Sequence, residues 1–226
     1  FGCVEFRETV VLGTKLNMMF LYVIAAYATE KVELAVSETG SKADFTIAVL
    51  AIIGAVISNY DYNGNRTTAI TSINGNFTGN YGIARDGDTA VNYAIGGAIA
   101  NYASATGTQA SIASIETISS NFENNYVTGA DYIYGGAIAN YSHGENTQAE
   151  ITTITGNFTG NSATTAGGAI HNYQENDGTA EIKAIQANFT NNVTAGEGGA
   201  IWNNGEISVI ADSNNVTFSG NKSGVT

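Results

Sequence analysis

Isoleucine, asparagine and phenylalanine recur along this chain in the pattern Ile-x-x-Ile-x-x-Asn-Phe-x-x-Asn, with a period of roughly 30 residues. The four copies begin at Ile70, Ile115, Ile151 and Ile182. Side chains on one face of a flat strand recur every two positions, so the three-residue spacing predicts corners between short strands. The threonine, serine and glycine residues between them form helices poorly, which favours strands over a helix.

Two four-residue motifs alternate along the same units, Gly-Gly-Ala-Ile and Phe-x-x-Asn. A unit of this size buries its apolar face only by stacking on its neighbours, which predicts a solenoid. The residues predicted to build the structural repeat are Phe77, Asn80, Gly96, Gly97, Ile99, Phe122, Asn125, Gly135, Gly136, Ile138, Phe158, Asn161, Gly167, Gly168, Ile170, Phe189, Asn192, Gly198, Gly199, Ile201, Phe218 and Asn221.

Each unit divides into three short strands, which together predict one coil of a parallel β-helix. The strands are Gly-Gly-Ala-Ile-x-Asn, the isoleucine pair, and Asn-Phe-x-x-Asn. Successive coils lie about 4.8 Å apart, so isoleucine stacks on isoleucine, phenylalanine stacks on phenylalanine, and asparagines at the bends form ladders. The predicted fold class is all-β, a parallel β-helix solenoid of about six three-strand coils with degenerate N-terminal coils or a cap.

The residue after each Gly-Gly-Ala-Ile motif varies from alanine to tryptophan, and one packed position does not fit such different sizes. We therefore expect the following residues to lie outside: Ala100, Ala139, His171 and Trp202. Alternation along the strand then places the next asparagine inside and the tyrosine after it outside. The tyrosines expected to form a stacked aromatic row on the outside are Tyr102, Tyr141 and Tyr173.

The first third of the chain matches the repeat weakly. Residues 54–60 match residues 96–102, and Phe45 precedes Gly54 by the same nine residues that separate Phe158 from Gly167. A weaker copy spans residues 21–27. We therefore predict a degenerate coil or a capping or assembly segment over residues 1–44, and β-helix repeats over residues 45–226.

A helix packed over the open end is the alternative for residues 4–34, and Phe1 and Glu5 resemble the start of a type IV pilin. Arg7, Glu8 and Lys15 interrupt the apolar surface that such a helix needs, which disfavours this alternative. The apolar stretches 18–28 and 45–57 are shorter than the ~20 residues of a membrane-spanning helix, so no membrane span is predicted.

The charge of the chain excludes one class of partner. The formal net charge is −12, with only eight basic residues and none between Arg85 and Lys183. Nucleic-acid binding needs clustered cations against the phosphates, so no nucleic-acid partner is expected. The single cysteine, Cys3, leaves no intrachain disulfide, and the absence of proline suits stacked strands.

The alternation of Gly-Gly-Ala-Ile and Phe-x-x-Asn resembles the passenger repeats of chlamydial polymorphic outer membrane proteins and related autotransporter adhesins. The clear resemblance covers residues 77–221 and fades from about residue 45. It implies a right-handed parallel β-helix, exposure at a cell surface, and an adhesive or structural role. In that family the motif residues are chiefly scaffold, so the resemblance implies no catalytic residue.

Several residues are candidates for catalytic, sugar-binding or calcium-binding sites. Glu150 and Glu181 precede matching isoleucines, so they are candidates for a paired-carboxylate site of a polysaccharide-cleaving enzyme, although solvated strand positions explain them as well. Trp202 and the tyrosine row are candidate sugar platforms. Residues 61–65 begin like a calcium loop, but Arg66 and Ser72 stand where that loop needs glycine and glutamate. The acidic, turn-like segments 86–88 and 175–178 are candidates for weak calcium binding. We assign no catalytic, cofactor-binding or metal-binding residue.

The sequence therefore predicts a non-enzymatic structural or adhesive protein, located outside the cell or at the cell surface. Two forms of this role remain open, the stalk of a surface adhesin and a subunit that stacks end to end in an extracellular filament. The expected partners are further copies of the chain, and carbohydrate or protein of a host or matrix. The alternative is a polysaccharide-binding or polysaccharide-cleaving β-helix protein.

Overall fold

A computed structural model describes residues 33–39, 42–48, 52–53, 57–62, 66–84, 93–105, 110–129, 132–211 and 216–224 of the chain. These residues form strands and no helix. The strands are β1 (Glu33–Thr39), β2 (Lys42–Ala48), β3 (Ile52–Ile53), β4 (Ile57–Tyr62), β5 (Arg66–Thr78), β6 (Tyr81–Ala84), β7 (Tyr93–Ile95), β8 (Ile99–Ser104), β9 (Ser111–Glu123), β10 (Tyr126–Gly129), β11 (Tyr132–Tyr134), β12 (Ile138–His143), β13 (Thr147–Thr159), β14 (Ser162–Ala163), β15 (Ile170–Glu175), β16 (Thr179–Thr190), β17 (Val193–Thr194), β18 (Ile201–Asn203), β19 (Glu206–Val209) and β20 (Phe218–Ser219).

Strands from successive coils pair side by side into sheets. Sheet 1 has the order β1-β2-β5-β9-β13-β16-β19, with β3 also paired to β5 and β20 to β16. Sheet 2 has the order β18-β15-β12-β8-β4, sheet 3 the order β17-β14-β10-β6, and sheet 4 contains β11 and β7. Every pairing is parallel except that of β1 with β2. This is the predicted parallel β-helix, and sheet 1 contains six successive coils in the described residues.

Like residues face each other across neighbouring coils, as the sequence alignment predicts. Ile138 lies opposite Ile99 and Ile170, and Phe158 lies opposite Phe122 and Phe189. The rings of the phenylalanine column stack with centroids 4.7 to 5.0 Å apart. The isoleucine and phenylalanine columns together form the continuous apolar core, which the in-register pairing holds along the solenoid axis.

The division of each coil into strands differs from the prediction. The isoleucine pair and the Asn-Phe segment belong to one continuous strand, such as the 13-residue β9. Its side chains are buried at every second position up to Ile115 and again from Ile118, with Glu116 and Thr117 between them both outside the core. The predicted corner is therefore a bend within one paired strand, because both halves pair with the same neighbouring strands. The third strand follows Phe-x-x-Asn, as in β10.

The paired glycines close each coil against the next one. Gly135 has φ 71°, a left-handed conformation that side chains with a Cβ rarely adopt. A Cβ on Gly136 would lie 2.1 Å from the carbonyl oxygen of Gly168 and 2.6 Å from the backbone of Ser162. The first glycine therefore makes the turn, and the second allows two coils and sheet 3 to approach closely.

The N-terminal third confirms one part of the alignment and corrects another. Strand β4 pairs with β8 so that Tyr60 lies opposite Tyr102, which confirms the match of this segment to the repeat. The alignment of Phe45 was wrong, because its backbone pairs with Ile70 and Ile52 takes the place opposite Phe77. The alignment places Phe45 by its distance from the next glycine. The hydrogen-bonded register between strands does not keep this distance constant from coil to coil.

Other N-terminal expectations are only partly covered by the described residues. The expected boundary between residues 44 and 45 falls within β2, which pairs antiparallel with β1 on one side and parallel with β5 on the other. The weak copy at residues 21–27 lies outside the described residues, as does nearly all of the alternative helix at 4–34, of which residues 33 and 34 are in β1.

We predict that Gly136→Ala lowers the free energy of unfolding by about 3 kcal/mol, because its Cβ meets backbone atoms that have no room to move. Urea unfolding followed by circular dichroism measures this change. Gly79→Asn is the matched control, since nothing lies within 4 Å of the Cβ position at Gly79. The equivalent Asn124 has a similar φ of 53°. Equal destabilisation by both substitutions would contradict the close-approach argument.

Candidate functional site

The asparagine of Phe-x-x-Asn is a buried link between three coils. Asn161 Oδ1 accepts hydrogen bonds from the backbone N–H of Asn125 at 3.0 Å and from Asn125 Nδ2 at 2.9 Å. Asn161 Nδ2 donates to Asn192 Oδ1 and to the carbonyl oxygen of Phe122, both at 3.0 Å. The same bonds recur along the ladder, so this motif asparagine serves the scaffold.

The residue before that asparagine is always glycine or asparagine, a signal that the sequence analysis missed. The five positions are Gly79, Asn124, Gly160, Asn191 and Gly220, and all have φ between 53° and 66°. Glycine and asparagine are the residues that adopt this left-handed conformation at least cost. Phe-x-[Gly/Asn]-Asn is therefore a turn motif whose third position could have been recognised from the repeat.

A second buried ladder joins sheet 2 to sheet 1. Asn140 Nδ2 donates to Asn172 Oδ1 at 2.7 Å and to the carbonyl oxygens of Ala149 and Glu181 at 3.0 and 3.2 Å. The asparagines of this ladder are Asn59, Asn101, Asn140, Asn172 and Asn203. Their inward orientation is the one predicted from alternation, and it satisfies backbone carbonyls that would otherwise lie buried without donors.

The structure places the predicted repeat residues in the core and its turns, with the last coil more exposed. Phe77, Phe122, Phe158 and Phe189 are fully buried. Ile201 and Asn221 are half-buried, and Phe218 is 52% exposed. These residues therefore build the rod, and surface chemistry has to come from the side chains between them.

The predicted tyrosine row is present, but its ring faces are occupied. Tyr102 stacks on Tyr60 at 4.9 Å and on Tyr141 at 4.8 Å, and Tyr141 stacks on Tyr173 at 5.1 Å. Burial and a 2.8 Å hydrogen bond to Glu175 raise the pKa of Tyr141 well above its usual range. A sugar ring packs on an aromatic face, so the inner rings of this row offer only their edges.

The positions after Gly-Gly-Ala-Ile are not on the open surface, contrary to the prediction. Ala139 and His171 are buried, and Trp202 is half-buried. The imidazole of His171 lies between the Tyr134 ring at 4.2 Å and the Trp202 ring at 4.7 Å, both nearly parallel to it. Alternation correctly directs these side chains away from the isoleucine core, but strand β11 contributes the Tyr134 ring, which covers His171.

This second aromatic stack leaves less of the Trp202 ring available as a platform for a sugar. One face of its indole packs on His171, and Trp202 Nε1 donates to Glu197 Oε2 at 2.9 Å. Burial lowers the pKa of His171 from 6.5 to about 3, and His171 Nδ1 has no hydrogen-bond partner among the described residues. The cluster is thus a neutral packed stack.

The candidate carboxylate pair is held by surface hydrogen bonds. Glu150 lies opposite Glu181, as the repeat predicts. Lys183 Nζ lies 2.7 Å from Glu150 Oε1, where Thr152 Oγ1 also donates at 3.0 Å, while Gln148 Nε2 donates to Oε2 at 3.1 Å. The hydrogen bond to Glu150 raises the pKa of Lys183. Both oxygens of Glu150 are therefore engaged by neighbours, which suits a structural role.

The possible calcium loops are only partly covered by the described residues. Asp61 is buried and its Oδ2 accepts from the backbone N–H of Ile112 at 3.3 Å, while residues 63–65 and 86–88 lie outside the described ranges. The turn at 175–178 is described, and Asn176 and Asp177 there are left-handed. Among described residues, no three histidine, cysteine or acidic side chains cluster in a metal-binding arrangement.

The described residues include two shallow cavities, one at the last described coil and one on sheet 3. One of about 510 Å³ lies at the last described coil, beside Ile201, Ile207 and Phe218. The other, of about 370 Å³, lies on sheet 3 beside Tyr126, Ser162 and Val193. Both are open to solvent along most of their length.

Comparison with known families confirms the resemblance inferred from the motifs. Residues 153–173 and 186–204 match the family model of the Chlamydia polymorphic membrane protein repeat. Each matched segment contains one Phe-x-x-Asn and one Gly-Gly-Ala-Ile motif. These two segments of the chain are therefore similar to the repeat of polymorphic membrane proteins.

Comparisons with individual proteins add nothing to the family match. No curated protein and no solved structure matches the chain. Across the parts of the chain that the structure describes, no helix is long and apolar enough to cross a membrane.

We predict that Asn161→Ala lowers the free energy of unfolding by about 3–5 kcal/mol. The substitution removes the side-chain acceptor of the Asn125 backbone N–H and the side-chain donor to the Phe122 carbonyl oxygen, both buried, at about 1–3 kcal/mol for each, while Asn192 Oδ1 keeps its bond from the backbone N–H of residue 161. Asn157→Ala is the control, since the Asn157 ladder is solvent-exposed, and it should cost less than about 1 kcal/mol. Similar losses in chemical denaturation would disprove the scaffold role of the buried ladder.

We predict that His171 makes stability rise with pH between about 3 and 6.5. The unfolded chain binds a proton there that the folded chain does not, because the folded pKa is depressed. His171→Phe keeps a stacking ring but should flatten the slope by up to about 1.4 kcal/mol per pH unit. Thermal melts across this range measure it, with His143→Gln as the control. An unchanged slope in His171→Phe would refute the assignment.

Proposed function

We propose that this chain is a non-enzymatic stalk of a surface adhesin, exposed on the outside of the cell. The observation that supports the proposal is the difference between the buried and the outer positions of each coil. The side chains that recur in every unit, such as Phe158 and Asn161, are buried in columns. Some outer positions, such as Tyr126, Ser162 and Val193 on sheet 3, differ from coil to coil, so a regular solenoid presents a varied surface suited to contact with other molecules.

The arrangement of the acidic residues supports a role without catalysis. A glycosidase needs one carboxyl group free to give a proton and another free to attack or activate water. Glu150 is instead engaged at both oxygens by Lys183, Thr152 and Gln148. Glu181 has Glu206 opposite it in the next coil, as part of an acidic column on the outer surface of sheet 1.

End-to-end association is a second proposal, supported by the last described coil. Val209, Ile210 and Phe218 are exposed apolar residues there. Another coil with the same pattern would cover them, from the same polypeptide or from a second copy. At the other side of sheet 1, the edge among the described residues is different, because β1 runs antiparallel to β2. A second copy would therefore meet an edge that does not continue the parallel register, which favours the stalk over the filament.

The stalk proposal predicts adhesion by isolated rods. Beads coated with the folded chain should bind cultured host cells or matrix-coated surfaces more than beads coated with the heat-unfolded chain. Negative-stain images of the same preparation should show separate rods, because the antiparallel end resists continuation of the stack.

Three results would contradict this proposal. They are adhesion no greater than that of the unfolded control, continuous filaments that carry no adhesive activity, and cleavage of a polysaccharide panel. In the last case Glu150→Gln and Glu181→Gln, measured beside Glu116→Gln as a matched surface control, would show whether the carboxylate pair performs the cleavage.

A further inference from the structure

The outer surface of sheet 3 contains a short tyrosine stack that ends abruptly. Tyr81, Tyr126, Ser162 and Val193 lie opposite one another in four successive coils. The rings of Tyr81 and Tyr126 stack at 5.4 Å with an angle of 12° between them. The next coil has the small Ser162 in place of a third ring, and the space that a ring would fill forms part of the 370 Å³ groove.

The groove has an apolar floor and a hydroxyl-bearing side. Val127, Ala163 and Thr194 are buried beneath it, and the Thr194 hydroxyl accepts a bond from the backbone N–H of Gly196. Thr128 and Thr164 are exposed along one side, with their hydroxyl oxygens 3.4 Å apart. The groove therefore combines one aromatic wall with solvent-facing hydroxyl groups.

The chemistry of this lining selects an uncharged ligand. No side chain that lines the groove carries a charge, and the nearest cation in the same column is Lys222, which lies opposite Val193 in the next coil. The net charge of −12 over the whole chain outweighs this one lysine and repels anionic polymers. The face of a pyranose ring presents C–H groups, and its edge presents hydroxyls. Such a ring fits between an aromatic wall and a row of threonines, in the mixed apolar and polar setting common to ligand sites.

We propose that this groove binds a pyranose unit of a neutral glycan, with Tyr126 as the stacking platform and Thr128 and Thr164 as hydrogen-bonding partners. The proposal rests on the proposed adhesive function and names the class of ligand for it. Tyr126 has a partner on one face only, because the groove lies on the side of its ring away from Tyr81. In the longer row, the inner Tyr102 and Tyr141 have rings on both faces.

The test is an NMR titration of the folded chain with cellohexaose, maltohexaose and mannohexaose, with hexagalacturonate as the anionic probe. We expect at least one neutral hexasaccharide to bind in preference to hexagalacturonate. Tyr126→Ala should weaken that binding about tenfold or more. Ser162→Tyr should abolish it by extending the tyrosine stack into the groove. Tyr60→Ala is the matched control, because Tyr60 is an exposed tyrosine that stacks on Tyr102 and does not line the groove, and the affinity of this variant should stay within about threefold of the unchanged chain.

The outcomes separate this inference from the proposed function. Circular dichroism confirms that each variant is folded before titration. Absence of binding by all three neutral probes, preference for hexagalacturonate, or unchanged affinity in Ser162→Tyr would each overturn the inference. Bead adhesion is measured in parallel. Adhesion that persists when no neutral glycan binds would overturn the glycan site alone, while loss of adhesion in the folded chain would overturn the proposed function.

Discussion

In-register stacking of parallel strands is the constraint on which this structure depends. Each inward side chain meets the equivalent side chain of the next coil, about 4.8 Å away. A position that repeats unchanged from coil to coil is therefore filled by a residue that packs or hydrogen-bonds with its own kind. Phenylalanine meets this condition by ring stacking, and asparagine meets it because its amide is both donor and acceptor. The repeated motifs are the residues that this condition selects.

The core could be predicted from the sequence because each core residue occurs at the same position in several repeats. Phe122, Asn125 and Ile138 each have counterparts at matching positions, and the structure pairs them as aligned. Degenerate segments gave no such support. Phe45 was aligned by its distance from a glycine, and only the hydrogen-bonded pairing with Ile70 revealed its position.

The outer surface was harder to predict, because it depends on segments that do not repeat. His171 was expected outside, and the direction of its side chain is correct, but Tyr134 covers it. Its neighbours in sequence carry no sign of this contact. The groove beside Tyr126 likewise arises from a difference between coils, a tyrosine in one and Ser162 in the next. Repeats thus specify the rod, while departures from the repeat create the places where it can bind other molecules.

The central claim is that equivalent side chains of successive motifs are in direct contact. NMR spectroscopy of the folded chain tests it through nuclear Overhauser effects between assigned side chains. The account predicts contacts between the rings of Phe122 and Phe158, and between the side-chain amides of Asn125 and Asn161. Contacts of Phe122 with Ile154 in place of Phe158, or the absence of any contact between equivalent residues, would contradict it.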